Sequence, residues 1–574
     1  MADGINSKVR RRDFLAATSA ELVPARAQDS RLRDAISIDG GRQLFFDDHL
    51  VAESTLERTW HLPTLHPASP LLRPETPLEM SGPQQGSARP FTDGLFYDPK
   101  DGLYKMWYSA DRGGFAYATS EDGIRWTRPS LDIEPGTNRV LPARDGYRRD
   151  NCTVWLDHNA ADPAQRFKLF AYFRVSKPAH RVGEVYTSPD GIHWKGPWFT
   201  GPCSDNTCFY YDTVRKLWVW SIRNASFVAE EQALAKRLAA DPNGPRYPFG
   251  PTRKRCRREY ADFWGEVDPD GFLIHRQGQV LLIGSSWQKS DIHGFRRYER
   301  SGESDIWLEA DDMDLPDPQL GYQTQLYHFT AVGYESVMLG MFLIHRGPPN
   351  DICAQMGIPK TTDLTVGFSR DGVHWVRPDR RAFIACSRRP GTWNRGYIQA
   401  TGGVCLVVGD ELRFYFSASS GMAPQLGGSM GSTGMAVLRR DGFVSLDGGA
   451  SGGAMTTPPV KFSGKYLFVN ANAGGGELAA EALDESGAAL PGFGVKECVP
   501  IHADGTRQPV RWKDARDLAS LLGKPVRFRF HLNRARLYSF WVSSDPSGPS
   551  LGYVAAGGPG FKGARDTVAQ PLNR

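Results

Sequence analysis

The sequence predicts an all-β protein, a five-bladed β-propeller followed by a β-sandwich, and three observations lead there. The first is a phrase, Ser-x-Asp-Gly-x-x-Trp, spelled three times as SEDGIRW at 120–126, SPDGIHW at 188–194 and SRDGVHW at 369–375. A phrase that recurs at long intervals marks a structural unit used repeatedly. The second is a looser repeat of an apolar strand, a short polar turn and an aromatic-rich strand, at 94–110, 152–174, 206–223, 336–346 and 402–419. The third is composition: 61 Gly, 40 Pro and 15 Trp in 574 residues, with 11% aromatics, suit many short strands joined by turns.

Each looser repeat reads as a hairpin, because β-branched and aromatic runs flank Asp, Pro, Gly or Lys turns. GLFYDPKDGLYKMWYSA at 94–110 is the clearest. Three of the five are followed by one more strand ending in the repeated phrase. There Gly accepts positive φ, Asp bonds its own backbone, and the Trp packs back over the hairpin. The matching positions after the other two are degenerate, SDIWLEA at 304–310 and MAVLRRDGFVSLD at 435–447. Five units of about four strands give the five-bladed propeller over residues 30–446. Residues 225–262 read as an insertion at its mouth, with RKRCRR at 253–258 a solvated run. A Gly-rich linker, DGGASGGAMTTPP at 447–459, opens residues 447–574, whose period-2 alternation reads as the antiparallel sandwich.

A net charge of +5 is too dilute to point to nucleic acid. Residues 1–29 carry RRRDFL at 10–15, then AATSA and Ala25-Arg26-Ala27, which resembles a twin-arginine export signal and implies a periplasmic or extracellular protein. Arg10 and Glu21 depart from that pattern. No run approaches 18 consecutive apolar residues, so no membrane insertion is expected. Eight cysteines are too few and too scattered to set a disulfide framework, and core positions are the expectation for most of them. His61, His66, His328 and His345 lack His-x-His or Glu-x-x-His partners, so no zinc site is expected. No phosphate loop or Gly-x-Ser-x-Gly elbow is present.

With these parts in order, the chain resembles the five-bladed propeller glycoside hydrolases, the superfamily of invertase-like family 32 and arabinanase-like family 43 enzymes. The phrases, the YDP-x-x-G-x-Y-x-MWY hairpin at 97–108 and the order of domains carry the resemblance. Within that superfamily it is most similar to an uncharacterised bacterial branch marked by FFDDHLV at 45–51, LRRDGFVSLD at 438–447 and KPVRFRFHL…LYSFWV at 524–542. The resemblance implies channel carboxylates acting on a terminal glycosidic bond of an oligo- or polysaccharide. One serves as nucleophile or base, one as proton donor and one as stabiliser of the oxocarbenium-like transition state.

Upstream of the first four hairpins stand Asp93, Asp150, Asp205 and Glu335, the catalytic candidates; the fifth offers Trp393, Asn394 and Gln399 instead. By blade position Asp93 resembles the nucleophile or base, and Asp150, after Arg149, the stabiliser of the Arg-Asp-Pro motif. The sequence departs from the family in reading Arg-Asp-Asn there, in lacking Asn-Asp-Pro-Asn-Gly, and in placing Asp205 where Glu is usual, which leaves Glu335 as a candidate acid. Arg149, Asn151, Asn206, Tyr334, Trp393, Asn394 and Gln399 are the candidate substrate contacts. Trp107, Trp155, Trp287 and Tyr397 are further rings able to stack on sugars, with core packing as the alternative. The bland alternative for Asp93 and Asp205 is turn capping, and for Asp150 pairing with Arg148 or Arg149. Asp122, Asp190 and Asp371 of the phrases are expected to be structural. No cofactor is expected, and no residue pattern indicates a channel calcium. The rival function is a non-catalytic propeller that binds glycan or protein, which dispersal of the four acids would favour.

Overall fold

The computed structural model describes residues 35–567 apart from internal segments, the longest of them 224–254. The export signal expected at 1–29, and most of the insertion expected at 225–262, lie outside the described residues. Nearly everything else is strand, turn or connecting coil, as the composition requires.

Five antiparallel sheets of three or more strands are spaced along the chain, with two hairpins, Glu266–Val267 with Leu273–Ile274 and Ser286–Ile292 with Phe295–Ser301, between the third and the fourth. The first holds Arg89–Asp98, Leu103–Ser109, Phe115–Ser120 and Arg139–Leu141, and the second Tyr147–Leu156, Phe167–Val175, Val182–Ser188 and Lys195–Pro202. The third holds Cys208–Asp212, Leu217–Arg223 and Arg255–Tyr260. The fourth has Gln325–Glu335, Val337–Gly347 and Thr361–Ser369, and the fifth Gly396–Ala400, Glu411–Ser419 and Gly431–Arg439. Neighbouring sheets are joined by buried hydrogen bonds around a closed circuit. Thr92 Oγ1 donates to Asn151 Oδ1 at 2.5 Å, Asn151 Nδ2 to Thr207 O at 2.8 Å and Cys208 Sγ to Phe329 O at 2.9 Å. Thr362 Oγ1 then donates to Ile398 O at 2.8 Å, and Gly402 N returns to Thr92 O at 3.2 Å.

The repeated phrase explains a second set of joints. In each copy the Ser hydroxyl accepts from the Gly N–H at 2.8–2.9 Å, and the Asp Oδ1 accepts from the next two N–H groups at 2.8–2.9 Å. This holds the glycines at φ +74°, +82° and +75°, a region Cβ-bearing residues avoid. Each glycine carbonyl then faces the preceding sheet. Tyr415 Oη donates to Gly123 O at 2.9 Å, Trp107 Nε1 to Gly191 O at 2.7 Å and Arg257 Nη1 to Gly372 O at 2.5 Å.

The RKRCRR run is not solvated at Arg255 and Arg257, and Arg253 and Lys254 lie outside the described residues. Its residues from Arg255 onward form a strand, and the side chains of Arg255 and Arg257 are fully buried. Arg255 donates to the carbonyls of Asn206 and Ser221 at 2.6 Å each, so backbone acceptors at the seam replace water.

Beyond the fifth sheet, a six-stranded sheet centred on Ala535–Ser543 and a four-stranded sheet containing Arg527–Asn533 share aromatic packing, with Phe530 and Phe540 centroids 5.2 Å apart. Residues 36–65 tie both groups together. Gln43–Leu44 pairs with Ala535–Ser543, Glu53–Ser54 with Gly453–Thr456 and Glu57–Trp60 with Val444–Gly448, whereas Thr64–Leu65 becomes the outermost strand of the fifth sheet. Strand pairing thus crosses the sequence division at 446/447. The seven cysteines with described side chains are buried thiols in the core.

At Gly191 an added Cβ would meet the Trp107 ring at 2.4 Å, whereas at Gly136, with φ +83°, it would meet nothing. Gly136→Ala is expected to cost only the backbone term of about 1 kcal/mol, and Gly191→Ala clearly more, read from urea unfolding.

Candidate active site

The first strands of all five sheets start at one end of the circuit, and there the ladder is irregular. Pairing with the second strand slips between Arg89 and Gly94, Arg149 and Cys152, Leu326 and His328, and Gly396 and Gln399. Such bulges bend a strand and re-aim its side chains. The residues inside them include Asp93, Asp150, Asn151, Tyr327 and Tyr397. In the third sheet Asp205 and Asn206 stand three and two residues before the strand that opens at Cys208, with Asn206 at φ +57°.

Arginines knit the three aspartates together. Asp93 is fully buried, its Oδ1 accepts a short hydrogen bond from Arg149 Nη2, and its Oδ2 has no partner. Burial pushes its carboxyl up to about 7, against the pull of Arg149. Arg174 spans the other two, donating from Nε to Asp150 and from Nη2 to Asp205, both at 2.7 Å. Asp205 also accepts from Arg223. Arg174 is 45% exposed, so this bridge faces the solvent at the mouth.

Aromatic rings flank the carboxylates. Tyr397 lies 5.6 Å from Phe91 and 5.9 Å from Tyr327, and Lys360 donates to Tyr327 Oη at 2.7 Å. Beneath them Asn151 Oδ1 accepts from Thr92 Oγ1 at 2.5 Å and from Gln399 Nε2 at 3.2 Å, linking three sheets. Asn206 and Gln399 are buried, each with its amide oxygen unpartnered.

Asp93, Asp150 and Asp205 thus share one mouth with Arg149, Asn151, Asn206 and Gln399. Glu335 and Tyr334 do not, which corrects where the fourth hairpin was read. Tyr334 pairs with Val337, so the hairpin turns on Glu335 and Ser336, and Glu335 ends its strand instead of preceding it. At that far end Glu335 accepts from Arg440 at 2.9 Å, Ser550 at 2.7 Å and Arg42 N at 3.1 Å. Tyr334 donates to Asp441 at 2.5 Å, and Asp441 is held down to about 2 by Arg42 and Arg440, which outweigh its burial.

Trp393 stacks on Phe416 at 5.7 Å and covers Gly434 in the fifth sheet, and the backbone carbonyl of Asn394 accepts from Ser387 N at 2.9 Å. Trp107 and Trp155 are core, and the Trp287 side chain lies outside the described residues. Among the described residues no three His, Cys, Asp or Glu groups converge for a metal. Sequence reasoning missed Arg89, Arg174, Arg223, Tyr327 and Lys360. None belongs to a repeated phrase, and only Arg223, closing its hairpin strand opposite Asp205, left a positional signal.

No protein-family model matches this chain, and no curated protein does. Among solved structures it is similar to an N-acetylgalactosamine deacetylase from F. plautii in complex with blood group B trisaccharide, at 14% identity and TM-score 0.35 over 70% of this chain and 95% of that one. A β-1,2-mannobiose phosphorylase from Listeria innocua gives 10% identity and TM-score 0.36 over 65% and 96%. An exo-β-1,3-galactanase from Phanerochaete chrysosporium gives 10% and 0.31 over 84% and 99%.

Because Glu335 is the shared acceptor of a buried ion cluster, Glu335→Ala is expected to cost about 3–5 kcal/mol in urea unfolding. Folded Glu335→Ala protein should retain whatever turnover the wild type shows.

Proposed function

We propose that the five sheets are the blades of a five-bladed β-propeller, that the C-terminal sheets form a β-sandwich, and that the mouth is the active site of a glycoside hydrolase. The observation that carries the reading is the convergence of Asp93, Asp150 and Asp205, from three successive sheets, on one mouth beside the half-buried rings of Phe91 and Tyr397. Hydrolysis needs a proton for the leaving oxygen and negative charge near the anomeric carbon. Asp93, buried and raised to about 7, is suited to the first task. Asp150 and Asp205, held by Arg174, supply the second. In the proposed step Asp93 gives its proton to the glycosidic oxygen as the C–O bond breaks. Water forms the new bond at the anomeric carbon and passes its proton to Asp150.

The far end supports cleavage at a chain terminus. Residues 553–557 lie across it, with Tyr97 N donating to Ala556 O at 3.0 Å, Ala555 N to Gly333 O at 3.1 Å and Val407 N to Gly557 O at 2.9 Å. A glycan then enters from the mouth alone, with its last sugar leading. One observation favours the rival of a binding propeller: each aspartate is already neutralised by an arginine. Export of the protein, with residues 1–29 as its signal, belongs to the same proposal.

Asp93→Asn and Asp150→Asn are each expected to lower kcat by about 10²–10⁴ on the glycan that the wild type cleaves, with an unchanged circular dichroism spectrum. Full activity in both variants would reject the assignment, and tight glycan binding without turnover by the wild type would establish the rival.

As a proton donor, Asp93 gives kcat/KM an alkaline limb that falls about tenfold per unit above about pH 7. An aspartate raised from about 3.9 in the unfolded chain to about 7 contributes stability that is complete below the lower value and lost as pH rises through the upper one. The wild-type Tm is therefore expected to decline between these values relative to Asp93→Asn, and parallel Tm curves would count against it.

A further inference from the structure

Arg89 opens the first strand at the mouth and is only 9% exposed. Its Nη1 donates to Ser419 Oγ at 2.6 Å, and its stem runs along Gly431, where a Cβ would meet it at 2.6 Å. Its Nε, equally buried, meets no acceptor. The guanidinium lies 5.1 Å from the Phe91 ring centre and 6.0 Å from that of Tyr397, so the rings proposed to receive a sugar also frame the cation. Among the described residues Arg89 forms no ion pair. Arg149 repels it, and Asp93, which attracts it, already gives its Oδ1 to Arg149. Residues 420–431, which follow Ser419 in the chain, contain no Asp or Glu.

A buried guanidinium without a counter-ion is costly, and one hydroxyl and two ring faces offset that cost only in part. The planar fork of an arginine suits it to bidentate capture of carboxylates, sulfates and phosphates, a use that a neutral hydroxyl partner does not draw on. We propose that Arg89 anchors an oxyanion subsite at the mouth, framed by Phe91 and Tyr397. Resting on the glycosidase reading above, the oxyanion is borne by the sugar as a carboxylate or sulfate ester, or is supplied free as inorganic phosphate. The substrate is in the first case an acidic glycan, and in the second a glycan whose freed anomeric carbon passes to phosphate.

The test compares the full chain with Arg89→Gln and Arg89→Lys by isothermal calorimetry. The ligands are sodium glucuronate, sodium sulfate, sodium phosphate and, as the neutral control, glucose, all at matched ionic strength. At least one oxyanion is expected to bind the wild type about tenfold or more tighter than glucose. That preference should vanish in Arg89→Gln and survive in part in Arg89→Lys. Glucuronate or sulfate as the preferred ligand indicates an acidic glycan, and phosphate the free acceptor. Without ligand, Arg89→Gln should unfold at a temperature no lower than the wild type, because an unpaired charge has been removed. The inference is overturned if no oxyanion outbinds glucose, if Arg89→Gln keeps the preference, or if Arg89→Gln lowers the ligand-free unfolding temperature. Should Asp93→Asn and Asp150→Asn remain active while the preference depends on Arg89, the hydrolase roles fail and the subsite stands. Should those variants lose turnover with no oxyanion preference in the wild type, the reverse holds.

Discussion

The structure depends on how each glycine carbonyl of the repeated phrase is presented to its neighbour. A Ser and an Asp tie up the three N–H groups that follow them, which forces the intervening glycine to positive φ and turns its carbonyl out of its own sheet. Tyr415, Trp107 and Arg257 meet those carbonyls from the preceding sheets, each wholly or almost wholly buried. A hydrogen bond to a buried carbonyl adds modestly when made and costs more when left unmade. The angular position of one sheet relative to the next is therefore fixed by a few bonds whose loss is expensive. Everything at the mouth, where side chains from different sheets must meet within hydrogen-bond reach, follows from that fixed angle.

At the mouth the same rigidity lets charges be buried that a softer frame would release. The bulges in four first strands turn aspartates and tyrosines inward, and Arg149, Arg174 and Arg223 follow to keep three carboxylates from repelling one another. The far end carries another ionic arrangement. Glu335 stands at φ +49° in a two-residue turn, a conformation unfavourable for a residue with a side chain. It is held there because Arg42, Arg440 and Ser550 all require its carboxylate. Ion pairs thus join the N-terminal, fourth-sheet and C-terminal segments at one end, while at the other Arg174 reaches solvent between Asp150 and Asp205.

Much of this was legible in the sequence, for identifiable reasons. The phrases located the sheets because turn chemistry is local: Ser, Asp and Gly do their work within six residues. Asp93, Asp150 and Asp205 were legible because a first strand followed by a Gly- or Lys-containing turn reveals its direction, and with it which end faces the mouth. Glu335 was misread for the converse reason. Its hairpin turns on Glu-Ser, which carries no Gly, Asn or Pro signal, so the strand before it went unseen and the acid was placed at the wrong end. RKRCRR looked solvated because charge in sequence says nothing of acceptors in space, and the carbonyls of Asn206, Ser221 and Gly372 are not visible as residue types. The pairing of residues 36–60 with strands some 400 positions later left no pattern at all.

The arginines of the mouth are the hardest part to read and the most informative. In a sequence of 69 basic residues a single Arg has no phrase to mark it, and only position distinguishes Arg89 from a surface residue. Arg149, Arg174 and Arg223 have an account within the protein, since each neutralises a carboxylate, and replacing any of them would strand an acid. Arg89 has no such account. It accepts the burden of desolvation beside another arginine, where packing alone could have been met by a neutral side chain donating the same bond to Ser419. A buried polar group that the fold does not satisfy calls for an account of its own. At the mouth the proposed oxyanion supplies that account for Arg89, because the planar fork of a guanidinium suits a negatively charged partner.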